Sequence, residues 1–215
     1  MAERTPLIMG DILNEINVPD LGGALADLKT KEIETQKDIF AEKERKAWDK
    51  SMEARCDFKR MVRLTRRASV FFFSLWQKSL FGRTLTDIKG DEQMVDFFAD
   101  EISPLIQDIV GEDLNKGDWC VITTPKRRHT VKNFATRISE KIAEKLQIPF
   151  YEDVCSCHTK QRINDIFTVN VVPEENNIIC FDDFVTTGAT LQAMKRAMQP
   201  HHKNMMFFCG INNKL

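Results

Sequence analysis

The apolar positions change period along this chain, and each change marks a structural boundary. From Thr30 onward Lys, Glu, Gln and Ala dominate, while Ile33, Phe40 and Ala47, then Trp48, Met52 and Cys56, recur at sevens and fours. No glycine or proline interrupts this stretch before Gly82, so the spacing predicts one long amphipathic helix or two in series. The basic cluster Lys59, Arg60, Arg63, Arg66 and Arg67 leads into the densely apolar Ala68 to Phe81, read as a helical segment buried on most sides with Gly82 as its C-cap. Ahead of it, Gly10, Pro19, Gly22 and Gly23 predict a loose arm to about residue 25, with at most a short helix around Ile12 to Ile16.

Asp91 to Ile102 sets Met94, Phe98 and Ile102 on one helical face. Ser103 and Pro104 then offer an N-cap and a first helical position, which predicts a second short helix to Val110. After Gly117 strand and helix patterns alternate. Trp119 to Thr124, Ile148 to Tyr151, Asn177 to Phe181 and Met205 to Ile211 read as strands, and Val131 to Leu146 and Thr190 to Met198 as helices. That alternation predicts an α/β fold with a parallel sheet covered on both faces, behind an α-helical N-terminal extension. No internal repeat is present.

Composition narrows the class. With 42% hydrophobic and 29% charged residues, 9 Gly and 7 Pro, the 215-residue chain is neither collagen-like, low-complexity nor wholly disordered. Net charge is −1, so no global field draws it to nucleic acid or anionic lipid, but the charge is unevenly spread. Ala41 to Arg67 carries 10 Lys/Arg against 5 Asp/Glu, and Thr84 to Asp118 carries 2 against 10. Six scattered cysteines, three inside apolar runs, suit a reducing compartment. No apolar run spans a bilayer, and Met1 to Gly10 has no secretory pattern, so the expected location is cytoplasmic, without a membrane partner.

The chemistry concentrates in Ile178-Ile-Cys-Phe-Asp-Asp-Phe-Val-Thr-Thr-Gly-Ala-Thr-Leu191. An apolar strand delivers Asp182 and Asp183 to its carboxyl edge, where open α/β sheets bind ligands. Thr186, Thr187, Gly188, Ala189 and Thr190 then form a small-residue loop at a helix start. Free N–H groups, hydroxyls and helix polarity there suit a phosphate. Adjacent carboxylates accept hydrogen bonds from vicinal hydroxyls, so together the two features describe a site for a ribose 5-phosphate. Either feature alone is more often a solvated turn or a plain helix cap.

The segment resembles the PRPP-binding motif of type I phosphoribosyltransferases. Lys89-Gly90-Asp91, the strand ending Thr123-Thr124-Pro125, the basic turn to Phe134, and Gln161-Arg162-Ile163-Asn164 with Phe167 resemble successive landmarks of the ComF-like branch. Where that branch has Arg-Gly-Phe-Asn-Gln, this chain has Lys132-Asn133-Phe134-Ala135-Thr136. The resemblance covers about Thr84 to Leu215 and implies a Rossmann-like phosphoribosyltransferase domain at 84–215 behind a helical extension at 1–83. It implies an enzyme of nucleotide metabolism that displaces pyrophosphate from PRPP with a nitrogen acceptor, and Mg²⁺ as cofactor with Asp182 and Asp183 as the metal-facing carboxylates.

By the same resemblance Asp182 and Asp183 hold the ribose hydroxyls, and Val185, Thr186, Thr187, Gly188, Ala189 and Thr190 wrap the 5-phosphate. Thr124, Lys126, Arg127 and Arg128 are the pyrophosphate candidates. Asp153 to Arg162, with His158, Lys160 and Arg162, stands where a catalytic flap is expected. The ligand is PRPP or a nucleoside monophosphate. A catalytically inactive sensor of PRPP or nucleotide is the alternative, its N-terminal helices binding a protein or nucleic acid.

Other features have plainer readings beside functional ones. Cys155-Ser-Cys157-His158 offers metal ligands without the second pair a closed zinc site needs. His201-His202 fits a polar turn. The Lys59 to Arg67 cluster is a solvated face, a partner for the acidic Thr84 to Asp118 stretch, or a grip on nucleic-acid phosphates. Phe40, Trp48 and Met52 form a partner or homo-oligomer seam, or pack on Val70 to Trp76.

Overall fold

A computed structural model describes residues 54–67, 69–125, 132–157 and 167–213. In chain order these form β1 (Arg55–Cys56), β2 (Arg63–Arg67), β3 (Val70–Gln77), β4 (Arg83–Thr84), α1 (Leu85–Gly90), α2 (Gln93–Val110) and β5 (Trp119–Thr123). There follow α3 (Phe134–Leu146), β6 (Phe150–Tyr151), β7 (Cys155–Cys157), β8 (Phe167–Val169), β9 (Asn177–Val185), α4 (Ala189–Met198) and β10 (Asn204–Asn212). Six strands form one sheet in the order β2-β3-β10-β9-β5-β6, parallel throughout except for β2, which pairs antiparallel with β3. β1 with β4 and β7 with β8 make two small antiparallel ribbons.

The central strands are apolar on both sides because both faces are covered. On one face Ile179, Phe181, Phe208 and Ile211 pack with Phe98 of α2 and Ile138 and Ile142 of α3. On the other, Ile178, Cys180, Phe207 and Cys209 pack with Leu191, Met194 and Met198 of α4. This is the predicted α/β architecture with a mostly parallel sheet. Aromatic rings lock α2 and α3 onto it: Trp76 lies 4.7 Å from Phe98 and Phe98 5.3 Å from Phe134, ring centre to ring centre. Among the described residues no helix is long and apolar enough to cross a membrane.

The helix expected over 55–81 is instead β1, β2 and β3. Val70-Phe-Phe-Phe-Ser-Leu-Trp76 is aromatic and β-branched, with Val70, Phe72 and Ser74 buried while Phe71 between them is exposed. That two-residue alternation, rewarded by parallel pairing with β10, prevails over a helical reading that rested largely on the lack of glycine and proline. Gly82 is no helix cap. It turns at φ +87°, and a Cβ there would lie 2.1 Å from the Cys56 carbonyl oxygen. The boundary drawn at residue 83/84 therefore runs through one compact unit, Met52 to Leu215, whose sheet takes in β2 and β3. The predicted arm, the helix around Ile12 to Ile16, the helix from Thr30 and the Phe40, Trp48 and Met52 seam lie outside the described residues.

The two short helices predicted across 91–110 are one, α2, with Pro104 inside it. An interior proline costs about 3 kcal/mol. The buried stripe Met94, Val95, Phe98, Ala99, Ile102, Leu105 and Ile106 runs unbroken past it. Each large side chain in such a stripe gains about 1.5–3 kcal/mol from burial. Pro104 itself is exposed, so continuity of the apolar face decides the outcome.

At Gly210 β10 comes close to α2: a Cβ there would lie 2.5 Å from Cε1 of Phe98 and 3.0 Å from the Asp183 carbonyl oxygen. Gly210→Ala is expected to lower unfolding stability by about 1–3 kcal/mol. An unchanged urea midpoint would contradict this packing.

Candidate functional site

The site grows from unequal strand lengths. Pairing between β9 and β5 stops at Phe181 opposite Thr123, whereas pairing between β9 and β10 continues to Val185 opposite Asn212. Past Phe181, Asp182, Phe184 and Val185 therefore have a ladder partner on the β10 side, and β9 has none on the β5 side. The acids expected just past a strand ending at Phe181 are inside it, since β9 runs on to Val185. The notch lies at the carboxyl edge of a parallel sheet, beside the start of α4.

Thr124, buried just beyond β5, donates its hydroxyl hydrogen to Asp182 Oδ1 at 3.1 Å, and the Asp183 N–H donates to the same oxygen at 3.1 Å. The Phe184 N–H donates to Asp183 Oδ1 at 2.9 Å. Lys89 Nζ stands 2.7 Å from Asp183 Oδ2. Burial, followed by the charge of Asp183, pushes the Asp182 carboxyl up to about 8; the Thr124 hydrogen bond and Lys89 oppose the rise without cancelling it. Asp182 is thus biased toward its protonated form while its neighbour faces an ammonium.

Past Val185 the chain turns through Thr186, Thr187 and Gly188 into α4. Gly188 sits at φ +78°, the left-handed region, and its cap position offers no side-chain acceptor to the first turn of the helix. The Ala189 N–H donates to Thr187 Oγ1 at 3.3 Å, Thr186 and Thr187 are exposed, and Asn213 Nδ2 donates to Thr186 Oγ1 at 3.2 Å. Hydroxyls and the amino end of a ten-residue helix thus converge where an anion is favoured.

Arg67 is the residue that the sequence reading did not connect with this loop. Its guanidinium donates to the Val185 carbonyl oxygen at 3.1 Å and to the Asn212 side chain, and a Cβ on Gly188 would lie 3.1 Å from Arg67 Cβ. It supports the loop from behind and carries positive charge beside it. The linear pattern carries no signal of this, because the spacing around Arg67 fits a helix as well as β2. Elsewhere in the cluster, Arg60 pairs with Glu101 of the acidic stretch at 3.5 Å, and Arg66 lies over the Phe71 ring.

Thus Asp182, Asp183, Thr124, Val185 and the Thr186 to Thr190 loop meet at one sheet edge. Lys126, Arg127, Arg128, His158, Lys160 and Arg162 lie outside the described residues. Of the expected flap, Cys155–Cys157 pairs antiparallel with Phe167–Val169. In the turn before α3, Asn133 caps the helix by accepting from the Thr136 N–H at 2.8 Å, and Lys132 pairs with Glu140 at 2.6 Å. Burial pushes the Cys155 thiol up to about 11, away from the thiolate a zinc site needs. His201 and His202 occupy an exposed turn.

As a metal site built from protein alone, the acid pair does not fit. Asp183 faces Lys89, and Asp182 is shifted toward its neutral form. Among the described residues no three His, Cys, Asp or Glu side chains are grouped to hold an ion.

No protein-family model and no curated protein matches the chain. Solved structures similar to it include an adenine phosphoribosyltransferase at 15% identity, covering 71% of this chain and 85% of that one with a TM-score of 0.44. The adenine phosphoribosyltransferase of Saccharomyces cerevisiae has 15% identity, coverages of 70% and 82%, and a TM-score of 0.42. The orotate phosphoribosyltransferase of Aeropyrum pernix has 17% identity, coverages of 74% and 75%, and a TM-score of 0.38.

The raised Asp182 pKa fixes a sign. The folded chain binds a proton that the unfolded chain releases near pH 4, so this group's contribution to stability falls as pH rises from about 4 to about 8. Asp182→Asn is expected to match the wild type near pH 4 and exceed it increasingly toward pH 8 in thermal melts. A variant less stable than wild type at pH 8 would contradict the assignment.

Proposed function

We propose that the protein binds the ribose 5-phosphate part of PRPP at the carboxyl end of β9 and transfers it to a nitrogen acceptor with release of pyrophosphate. One observation carries the reading: two carboxylates in the notch beside β5 are followed within three residues by a threonine-rich, left-handed turn into a helix. A carboxylate pair matches vicinal hydroxyls, and the loop matches a phosphate dianion two sugar carbons beyond them. The domain responsible begins with the first strands of the sheet rather than at residue 84.

In this reaction the acceptor nitrogen's lone pair forms the bond to the anomeric carbon. The bond from that carbon to pyrophosphate breaks with its electrons going to the leaving group, and the nitrogen's proton passes to solvent. Positive charge develops on the sugar, and Asp183 offers a nearby carboxylate to stabilise it. The fixed 5-phosphate and diol orient the ring toward the incoming nitrogen. Thr124, Lys126, Arg127 and Arg128 follow β5 and in this reading take the pyrophosphate, with Mg²⁺ arriving as part of that substrate. Lys160 and Arg162 belong to the flap that excludes water.

The test is pyrophosphate release from Mg²⁺-complexed PRPP across a panel of nucleobases and nucleosides. Acceptor-dependent release is expected, reduced at least about a hundredfold by Asp183→Asn and by Thr187→Val. Saturable PRPP binding without release would convert the enzyme to a sensor. No PRPP binding would remove the reading altogether.

A further inference from the structure

Lys89 belongs to the sequence landmark Lys89-Gly90-Asp91, to which the sequence alone gives no chemical role. In the fold it stands near the end of α1, a helix anchored at several points. Thr84 Oγ1 accepts the Asp87 N–H at 3.2 Å, the Leu85 N–H donates to the Ala54 carbonyl oxygen at 3.0 Å, and Ile88 is fully buried. Just beyond the helix Arg83 pairs with Asp91 at 2.8 Å. The backbone therefore sets where Lys89 begins, and two attractions set where it ends. Its ammonium lies 2.7 Å from Asp183 Oδ2 and 4.6 Å from the centre of the Phe184 ring.

The two partners differ in exposure. The Lys89 side chain is 47% exposed and that of Asp183 only 11%, so a half-exposed lysine stands beside a largely covered carboxylate. An ammonium has three N–H donors and no acceptor, while a carboxylate only accepts. A sugar hydroxyl needs both kinds of partner. Carboxylates alone leave its oxygen lone pairs unmatched, and they also repel the phosphate of the same ligand.

We propose that Lys89 is the resident counter-cation of the diol site: it donates to the sugar hydroxyl oxygens while Asp183 accepts from them, and it lets the site hold a ribose 5-phosphate without a divalent cation. This rests on the reading that β9 and α4 bind a sugar phosphate, and it adds the residue that balances their charge. The chemistry is binding only, with no covalent step. Lys89 takes the role at Asp183 that a metal ion would otherwise fill.

The experiment is calorimetric titration of the full chain with ribose 5-phosphate, once in EDTA and once in excess Mg²⁺. Wild type is expected to bind with affinities within about twofold of each other in the two buffers. Lys89→Met should bind at least about tenfold more weakly in EDTA, with Mg²⁺ restoring most of the loss. Lys89→Arg keeps the charge and should stay within about threefold of wild type in both buffers. Thr187→Val, which removes a phosphate donor, should weaken binding equally in both. The Mg²⁺ response of Lys89→Met separates a charge role from a structural one, since a damaged fold gains nothing from the ion. If Lys89→Met binds as tightly as wild type in EDTA while Thr187→Val is weakened, the Lys89 assignment falls and the sugar-phosphate reading stands. A wild type that binds only with Mg²⁺ overturns the Lys89 assignment too. No saturable binding by the wild type in either buffer overturns both.

Discussion

Two adjacent carboxylates near the end of a strand packed on both faces repel each other and lose water, and the surroundings of β9 answer that cost locally. Thr124 and the Asp183 backbone N–H take one carboxyl, the Phe184 N–H and Lys89 the other. Even so, Asp182 keeps its proton well above the ordinary carboxylate range. A strand chosen for stability alone would carry neutral residues here. Retaining the strain at the edge where parallel sheets bind ligands is what a recognition site requires.

The loop after β9 depends on residues distant in sequence. Arg67 comes from the far edge of the sheet, yet it holds the Val185 carbonyl and lies against Gly188. Asn212 and Asn213, at and just past the end of β10, fasten Arg67 and Thr186 in turn. Gly188 serves two purposes: its left-handed turn aims the chain into α4, and its lack of a side chain leaves space for Arg67. The anion loop is thus braced by β2 and β10, and Lys89 reaches the acids from α1. The groups at this one sheet edge come from five separate parts of the chain: β2, α1, the end of β5, the β9–α4 segment and β10.

How much of this was legible in the sequence follows from how local each signal is. β5, α3, β9, α4 and β10 were readable because each carries a period of its own between clear breaks, and the acid pair and threonine loop were readable because they are contiguous. β2 and β3 were not, since an aromatic run without glycine or proline fits a buried helix as well as a strand, and only pairing with β10 decides between them. Pro104 misled for a related reason: the proline signal is local, while the apolar stripe that overrides it extends over the whole of α2. Arg67 and Lys89 were invisible as site residues because their partners lie more than ninety positions away. Sequence spacing carries no information about such contacts until the topology is known.

The central claim is that a sugar phosphate occupies the notch between β5 and the start of α4. A crystal structure of the chain with ribose 5-phosphate tests it most directly. The phosphate is expected against the Thr186 to Thr190 loop, with two sugar hydroxyls within hydrogen-bond distance of Asp182 and Asp183. A sugar phosphate bound elsewhere, with the loop and both carboxylates making no contact to it, would contradict the account.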